Sequence, residues 1–457
     1  MSRFQPEIIH QQLGAAFYDK VEAASFPDAI LRYRNQAAAD KVGLGGLDDE
    51  SWIAHFAHFR PLEGSFSQPL ALRYHGHQFG SYNPEIGDGR GFLFAQMREA
   101  GTGRLLDLGT KGSGTTPYSR TADGKLTLKG AVREIMATEM LAALNVPTSQ
   151  TFSVIETGEA LMRHDEPSPT RSAVMIRLLN SHIRIGSFQR CAYLSDDKST
   201  EALARHVVAH HYPNCDPHQD ADTLYLALLT ALIARVADMV GAWMVAGFVH
   251  GVMNTDNMNI TGESFDYGPY RFLPTLRSDF TAAYFDHNGL YAFSRQPEAM
   301  YWNLGQLAQS LSLICDDKKL LKALENFAPA YRVALRNKVF ERLQVQPKNN
   351  QKDFEFVSLT FKFLENSQCS WPQFWHDWQG GAGELMRAKR SLSSDLYSGD
   401  EFIDWYNSLK EFEVRGAPPK VNTPVSLLYE DIEAIWKPIE KDNNWSKFIE
   451  KTKSFQR

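Results

Sequence analysis

The stretch HGVMNTDNMNITGESFDYG, residues 250–268, decides how this chain is read. It follows the most apolar run in the sequence and places Asp256, Asn257 and Asp266 in a short polar segment closed by Asp266-Tyr267-Gly268. Asn254, Asp256 and Asn257 could form an ordinary turn capped by their own side chains. They could also be a loop that presents oxygen ligands and a proton acceptor to a bound substrate.

The second reading has a template. The catalytic loops of protein kinases run His-x-Asp, four residues, then Asn, followed later by Asp-Phe-Gly; the first Asp takes the hydroxyl proton, and Asn and the second Asp hold metal. Here His250 and Asn257 have that separation and Asp266-Tyr267-Gly268 stands for the triplet, but the proton acceptor's position is Val252. Valine neither accepts a proton nor ligates metal. Asp256 is the nearest carboxylate able to take that role.

Upstream, Gly87-Asp88-Gly89-Arg90-Gly91 forms a glycine-rich turn between strand-like runs, suited to close approach of backbone to phosphate. Lys111 ends LLDLGTK and could hold phosphate oxygens, a plain hairpin with a surface lysine being the other reading. The segment KGAVREIMATEML has apolar residues Val132, Ile135, Met136 and Met140 at helical spacing. Glu134 and Glu139 are both candidates to orient Lys111, and periodicity does not choose between them. Arg177 and Arg184 sit in apolar surroundings, where arginine needs an anionic partner: a triphosphate, or carboxylates such as Asp165 or Glu156.

With 457 residues the chain exceeds the roughly 250–300 that one core usually holds, so two or three packed units are expected. Its 43% apolar and 22% charged residues fit a soluble globular protein, and the net charge of −6, without a basic stripe, gives no footprint for nucleic acid. Four scattered cysteines without a CxxC pair, and a start lacking a secretory signal, point to a reducing, cytoplasmic setting. Thr223–Gly251 is strongly apolar, but Arg235 and Asp238 interrupt it, so a buried helix is expected rather than a span of about 20 residues. Helical spacing is also read around Ile30–Val42 and Trp52–Phe59, and a strand over Ser172–Leu179. His206, His210, Cys215 and His218 are spaced too irregularly for a zinc site. His75 and His77 read as structural or substrate-facing.

Taken in order, RYHGHQFG, IGDGRG, LGTKGSGTTPYSR, ADGKLTLKGAVREIMATEML, NSHIRIGSF, HGVMNTDNMNI, DYGPYRFL and YWNLGQLAQSL closely resemble the selenoprotein O family, over about residues 60–320. The resemblance implies an α+β, bilobal protein-kinase-like fold: a strand-rich N-lobe with one central helix, a helical C-lobe and a further helical C-terminal region. The corresponding units are residues 1–60, an extension packed on the core; 61–180, nucleotide-binding; 181–330, with the catalytic and metal loop; and 331–457, helical and divergent.

It implies ATP bound in a flipped orientation, Mg²⁺ or Mn²⁺, and transfer of AMP to Ser, Thr or Tyr hydroxyls of protein substrates, this chain itself among the candidates. Nucleic acid and membrane are not expected partners. Gly87, Gly89 and Arg90 match the phosphate-binding turn, Lys111 the nucleotide lysine and Glu134 its partner. Asp123, Gly124, Arg177 and Arg184 match the pocket for the outer phosphates, Asp256 the proton acceptor, and Asn257 and Asp266 the metal ligands. The sequence lacks the C-terminal selenocysteine or cysteine pair of many members and has no cysteine in DFTAAYFDHNG, so a loop-to-tail disulfide is not expected. A silent ATP-binding scaffold and a γ-phosphate transferase are the alternatives; the retained Asn257 and Asp266 argue against the first and Val252 against the second.

Overall fold

A computed structural model describes residues 3–164, 166–416 and 423–455. Its strands, in chain order, are β1 (Pro6–Glu7), β2 (Tyr18–Lys20), β3 (Ile30–Arg34), β4 (Leu70–Leu72), β5 (Gly76–Gln78), β6 (Ser81–Asn83), β7 (Leu93–Arg98), β8 (Leu105–Lys111), β9 (Leu126–Thr127), β10 (Gln150–Leu161), β11 (Thr170–Leu179), β12 (Phe248–Val249) and β13 (Arg271–Phe272). Nine of them form one antiparallel sheet, in the order β2-β4-β7-β8-β11-β10-β3, with β1 on β7 and β9 on β11. The pairs β5–β6 and β12–β13 stand apart. The first sixty residues are thus built into the main sheet through β1, β2 and β3.

Side-chain alternation along the two central strands aims the chemistry. On β11, Val174, Ile176 and Leu178 enter a core shared with Trp52 and Phe56, from α1 (Gln36–Lys41) and α2 (Asp49–Phe56) and the residues around them. Ala173, Met175 and therefore Arg177 face the opposite side. On β8, Leu106 and Leu108 enter the first core, which leaves Asp107, Gly109 and Lys111 on the face of Arg177. Arg177 lies directly opposite Gly109 in the register.

That second face is covered by α3 (Leu128–Ala143). Thr127 caps it by accepting the Gly130 N–H, and Val132, Ile135, Met136 and Met140 are all buried against β10 and β11. The spacing read over Ile30–Val42 divides differently from a single helix. Ile30–Arg34 pairs with β10, and α1 begins only after Asn35, whose side chain accepts the Ala38 N–H. Tertiary pairing outweighs helical spacing there.

Beyond the sheet the chain is mainly helical: α4 (Ile185–Tyr193), α5 (Asp197–His211), α6 (Ala221–Ala246), α7 (Gln296–Leu311), α8 (Asp317–Leu324), α9 (Phe327–Leu343), α10 (Gln351–Ser367), α11 (Trp371–Trp378), α12 (Leu385–Ala388), α13 (Gly399–Leu409), α14 (Tyr429–Asp442) and α15 (Ser446–Phe455). Helix α6 is long and apolar enough by composition to cross a bilayer. Here it is the central core helix, with Leu228, Leu232, Val236 and Val240 buried. Its charged residues turn outward: Arg235 donates to the His211 carbonyl at 2.8 Å, and Asp238 meets Lys338 at 3.1 Å. Gly247, at φ 66°, ends the helix in the left-handed conformation and turns the chain into β12 and His250. The tail helices α14 and α15 pack on α3. Lys129 of α3 reaches Glu433 at 2.9 Å, and Arg171 of β11 donates to the Ile439 carbonyl at 2.8 Å.

Candidate active site

Between the sheet and the helical half lies a cavity of about 450 Å³. The glycine turn, the end of β8, Arg177, Arg184 and the 252–269 loop all line it. The glycines are needed for packing as well as approach. A Cβ on Gly87 would lie 2.5 Å from the Tyr118 ring, and one on Gly91 would lie 2.0 Å from the Thr110 carbonyl oxygen. The turn is thereby pressed between β8 and the loop after it. Thr116 and Ser119 donate to the carbonyls of Asp88 and Gly89, closing that roof.

Lys111 is buried and its Nζ donates to Glu134 and, at 2.7 Å, to Asp266 Oδ1. Arg177 Nη1 reaches the same Asp266 oxygen at 3.2 Å and Glu134 Oε2 at 3.9 Å. Glu139 faces away and accepts the Tyr33 hydroxyl at 2.7 Å, so the fold selects Glu134. Asp266 itself adopts φ 63°, a left-handed backbone rarely taken by non-glycine residues and held here by its surroundings. Burial alone would raise its pKa, but the charges of Lys111, Arg177, Arg90 and Arg184 prevail and hold the carboxyl well below the usual range.

His250 anchors this loop from behind. Its Nε2 lies 3.0 Å from the Phe265 carbonyl, an acceptor, so that nitrogen carries the proton. Burial lowers its pKa and keeps the ring neutral. Asn254 and Thr255 accept the backbone N–H groups of Phe79 and His77 at 3.0 and 2.7 Å, which pins the β5–β6 hairpin to the catalytic loop. His75 and His77 belong to that hairpin region, in contact with Tyr82 and with Gln189 of α4.

Asp256 faces the cavity with Oδ1 unpartnered. Burial pushes its pKa up to about 6, Arg184 opposing and Asp266 adding to the rise. Arg184 is held by three contacts: Nη2 to Asp88 Oδ1 at 3.2 Å, Nη1 to the Asp256 carbonyl at 2.8 Å, and its guanidinium 4.4 Å from the Tyr74 ring centroid. The carboxylate partners of the two arginines are therefore Asp88 and Asp266. Glu156 instead serves Arg32 and Arg171, and Asp165 lies outside the described residues. Asp88 lies inside the glycine motif, and its role requires Arg184, ninety-six residues away, and the Leu72 N–H that it also accepts.

Three expected residues are not on the cavity wall: Glu134 lies behind Lys111, and Asp123 and Gly124 stand off it. Asp123 forms an ion pair with Arg163 at 2.8 Å and its side chain is half exposed. Gly124, at φ 69°, packs its Cα against Gly114 and accepts the Gly114 N–H. Of that turn, Ala122 reaches the cavity. His206 and His210 meet edge to face, and among the described residues no His, Cys, Asp or Glu group could hold a metal by itself.

A metal therefore needs ligand oxygens from a bound substrate. The residues present fit that arrangement. Asn257 donates Nδ2 to the Val252 carbonyl at 3.0 Å, which turns its carboxamide oxygen the other way, and Asp266 keeps Oδ2 beyond the cations that hold Oδ1. Five cationic side chains (Arg90, Lys111, Arg120, Arg177 and Arg184) line the cavity against three carboxylates, Asp88, Asp256 and Asp266. That surplus suits a polyphosphate.

The antiparallel sheet, the helix that pairs its glutamate with a strand lysine and the cationic cleft form one site, and the relatives of this chain are named protein nucleotidyltransferases. The chain belongs to the protein adenylyltransferase SelO family, whose model matches residues 2–456. It is 42% identical to the protein nucleotidyltransferase YdiU of Trichodesmium erythraeum, over 98% of this chain and 97% of that one. The YdiU protein of Synechocystis sp. is 41% identical over 98% and 96%. That of Vibrio parahaemolyticus is 31% identical over 91% and 82%. The family model and the YdiU relatives cover the chain well past residues 60–320, the helical tail included.

Proposed function

We propose that the protein uses ATP and a divalent cation, Mg²⁺ or Mn²⁺, to transfer AMP to Ser, Thr or Tyr hydroxyls of protein substrates on a bilobal, kinase-like scaffold. The observation that carries this reading is the position of the arginines. Arg177 and Arg184 are both buried on the cavity wall, Arg177 paired with Asp266 and Arg184 with Asp88. Negative charge that grows at the buried end of the cavity is thus the charge best stabilised. In adenylyl transfer that charge is on the departing pyrophosphate, so the nucleotide lies flipped, with its β- and γ-phosphates inward. The planar guanidinium groups can each make paired contacts to phosphate oxygens, which ammonium cannot.

A divalent metal on Asn257 and Asp266 would neutralise the bridging phosphate oxygens. Glu134 and Asp266 hold Lys111 in place to meet the same phosphates. Asp256, with one carboxylate oxygen lacking a hydrogen-bond partner and the group ionised near neutrality, accepts the proton of the attacking hydroxyl. Val252 is then no loss, because the γ-phosphate does not lie beside it.

The test is incubation with protein substrates, Mg²⁺ and ATP labelled at either the α- or the γ-phosphate. Protein label from the α-position alone, absent in Asp266→Ala, is the expected result. Label from the γ-position, or γ-transfer created by Val252→Asp, would refute the flipped pose.

A further inference from the structure

A second cavity, of about 490 Å³, lies where the end of α3 meets the ends of α6 and α9 and the side of α11. Arg342, in the last turn of α9, projects into this junction. Its Nη1 is buried and has no hydrogen-bond partner, and no carboxylate lies within ion-pair distance among the described residues. Burial lowers its pKa to about 10, with no compensating charge.

Arg342 is half-buried, its guanidinium lies 5.8 Å from the Trp375 ring centroid, and its buried Nη1 still lacks an acceptor that an anionic ligand would supply. The adjacent carboxylates are engaged elsewhere. Glu341 meets Asn145 at 3.3 Å and Lys338 at 3.9 Å, and Asp377 accepts from Gln373 and Tyr397, each at 2.7 Å. Two further buried polar atoms on the same walls lack partners: the Trp375 Nε1 donor and the Gln344 Oε1 acceptor. Lys338 and Arg415 add positive charge.

We propose that this cavity binds a small phosphate-class oxyanion, with Arg342 as its central contact. The chemistry on the walls matches such a ligand. Arg342 and Trp375 donate to its oxygens, and Gln344 accepts the remaining acidic proton of a hydrogen phosphate or phosphate monoester. Carboxylates would leave Gln344 without a donor. The helix end also contributes: a cation in the last turn of α9 faces the negative end of the helix, so the site gains its anion affinity from side chains rather than backbone. This site is separate from the ATP cavity and shares no lining residue with it.

The experiment is thermal melting of the full chain in chloride buffer, against buffers of matched ionic strength holding about 10 mM inorganic phosphate or pyrophosphate. Wild type is expected to gain about 2 °C or more from inorganic phosphate, and any further gain from pyrophosphate that Arg177→Met removes belongs to the first cavity. Arg342→Met should gain nothing from inorganic phosphate, while pyrophosphate can still stabilise it through the first cavity. Trp375→Phe keeps the ring packing and should lose part of the gain. Arg177→Met, in the ATP cavity, should keep the gain from inorganic phosphate. No gain from inorganic phosphate in wild type, or a phosphate gain that survives Arg342→Met, would each overturn the proposal.

Discussion

Replacing Asp256 by asparagine isolates the role of one oxygen. The substitution keeps shape and volume, and the Asp256 main-chain carbonyl that holds Arg184 is untouched. What changes is the ability to take a proton at the unpartnered Oδ1. Positioned general bases contribute about 10²–10⁴-fold, and that is the expected loss in the rate of transfer. With a pKa raised to about 6, the carboxyl is roughly nine-tenths ionised at pH 7, half at pH 6 and one-tenth at pH 5. Wild-type activity should therefore fall about tenfold per pH unit below 6, and the residual activity of Asp256→Asn should lack that limb.

Stability should move the other way. The folded state holds this proton more tightly than the unfolded state, so the group's contribution is fully present below about pH 3.8 and is lost as pH rises through about 6. Asp256→Asn should thus melt higher than wild type at pH 8 and close to it at pH 4. Transfer is assayed from pH 5.5 to 8.5 with folding followed by circular dichroism. An asparagine variant within tenfold of wild type, or one that retains the limb near pH 6, would refute the assignment.

Lys111→Met should leave Glu134 and Asp266 short of a buried cation, costing about 3–5 kcal/mol and abolishing transfer; adding Glu134→Gln should restore melting temperature but not activity, measured by denaturation and label transfer. Burial lowers the pKa of His10 and His211 to about 4 and that of His206 to about 2. These groups contribute stability above pH 6.5 that is lost as pH falls toward 4, so the melting temperature should drop through that window and His206→Phe should flatten the drop. Gly91→Ala would place a methyl 2.0 Å from the Thr110 carbonyl and push the turn off β8; a displacement of this size should raise KM for ATP or lower kcat by up to about 10²-fold, read by steady-state kinetics.

Local pattern was enough to find the pieces. The His250–Asn257 spacing, the strand ending at Lys111, the apolar stripe of α3 and the apolar setting of Arg177 and Arg184 are all properties of a few neighbouring residues, where backbone geometry fixes which side chains share a face. The same locality explains why α6 was readable as a buried helix: two charges a turn apart interrupt its apolar run, and both find partners at its surface.

Partners across the chain are a different matter. Lys111 meets Asp266 over 155 residues, Arg177 meets Asp266 over 89 and Arg184 meets Asp88 over 96. No spacing rule reaches that far, since the meeting depends on how the sheet brings β8, β11 and the 250–268 loop together. For the same reason periodicity left Glu134 and Glu139 equal: a helix presents several faces, and only the packed neighbours, Lys111 on one and Tyr33 on the other, give each its role. Ile30–Arg34 became a strand because β10 had an open edge to pair, and Asp123 was drawn off the cavity by Arg163. The sequence by itself determined which residues can do the chemistry; the tertiary structure decided which of them face one another, because ion pairing and burial depend on distance in space and not along the chain.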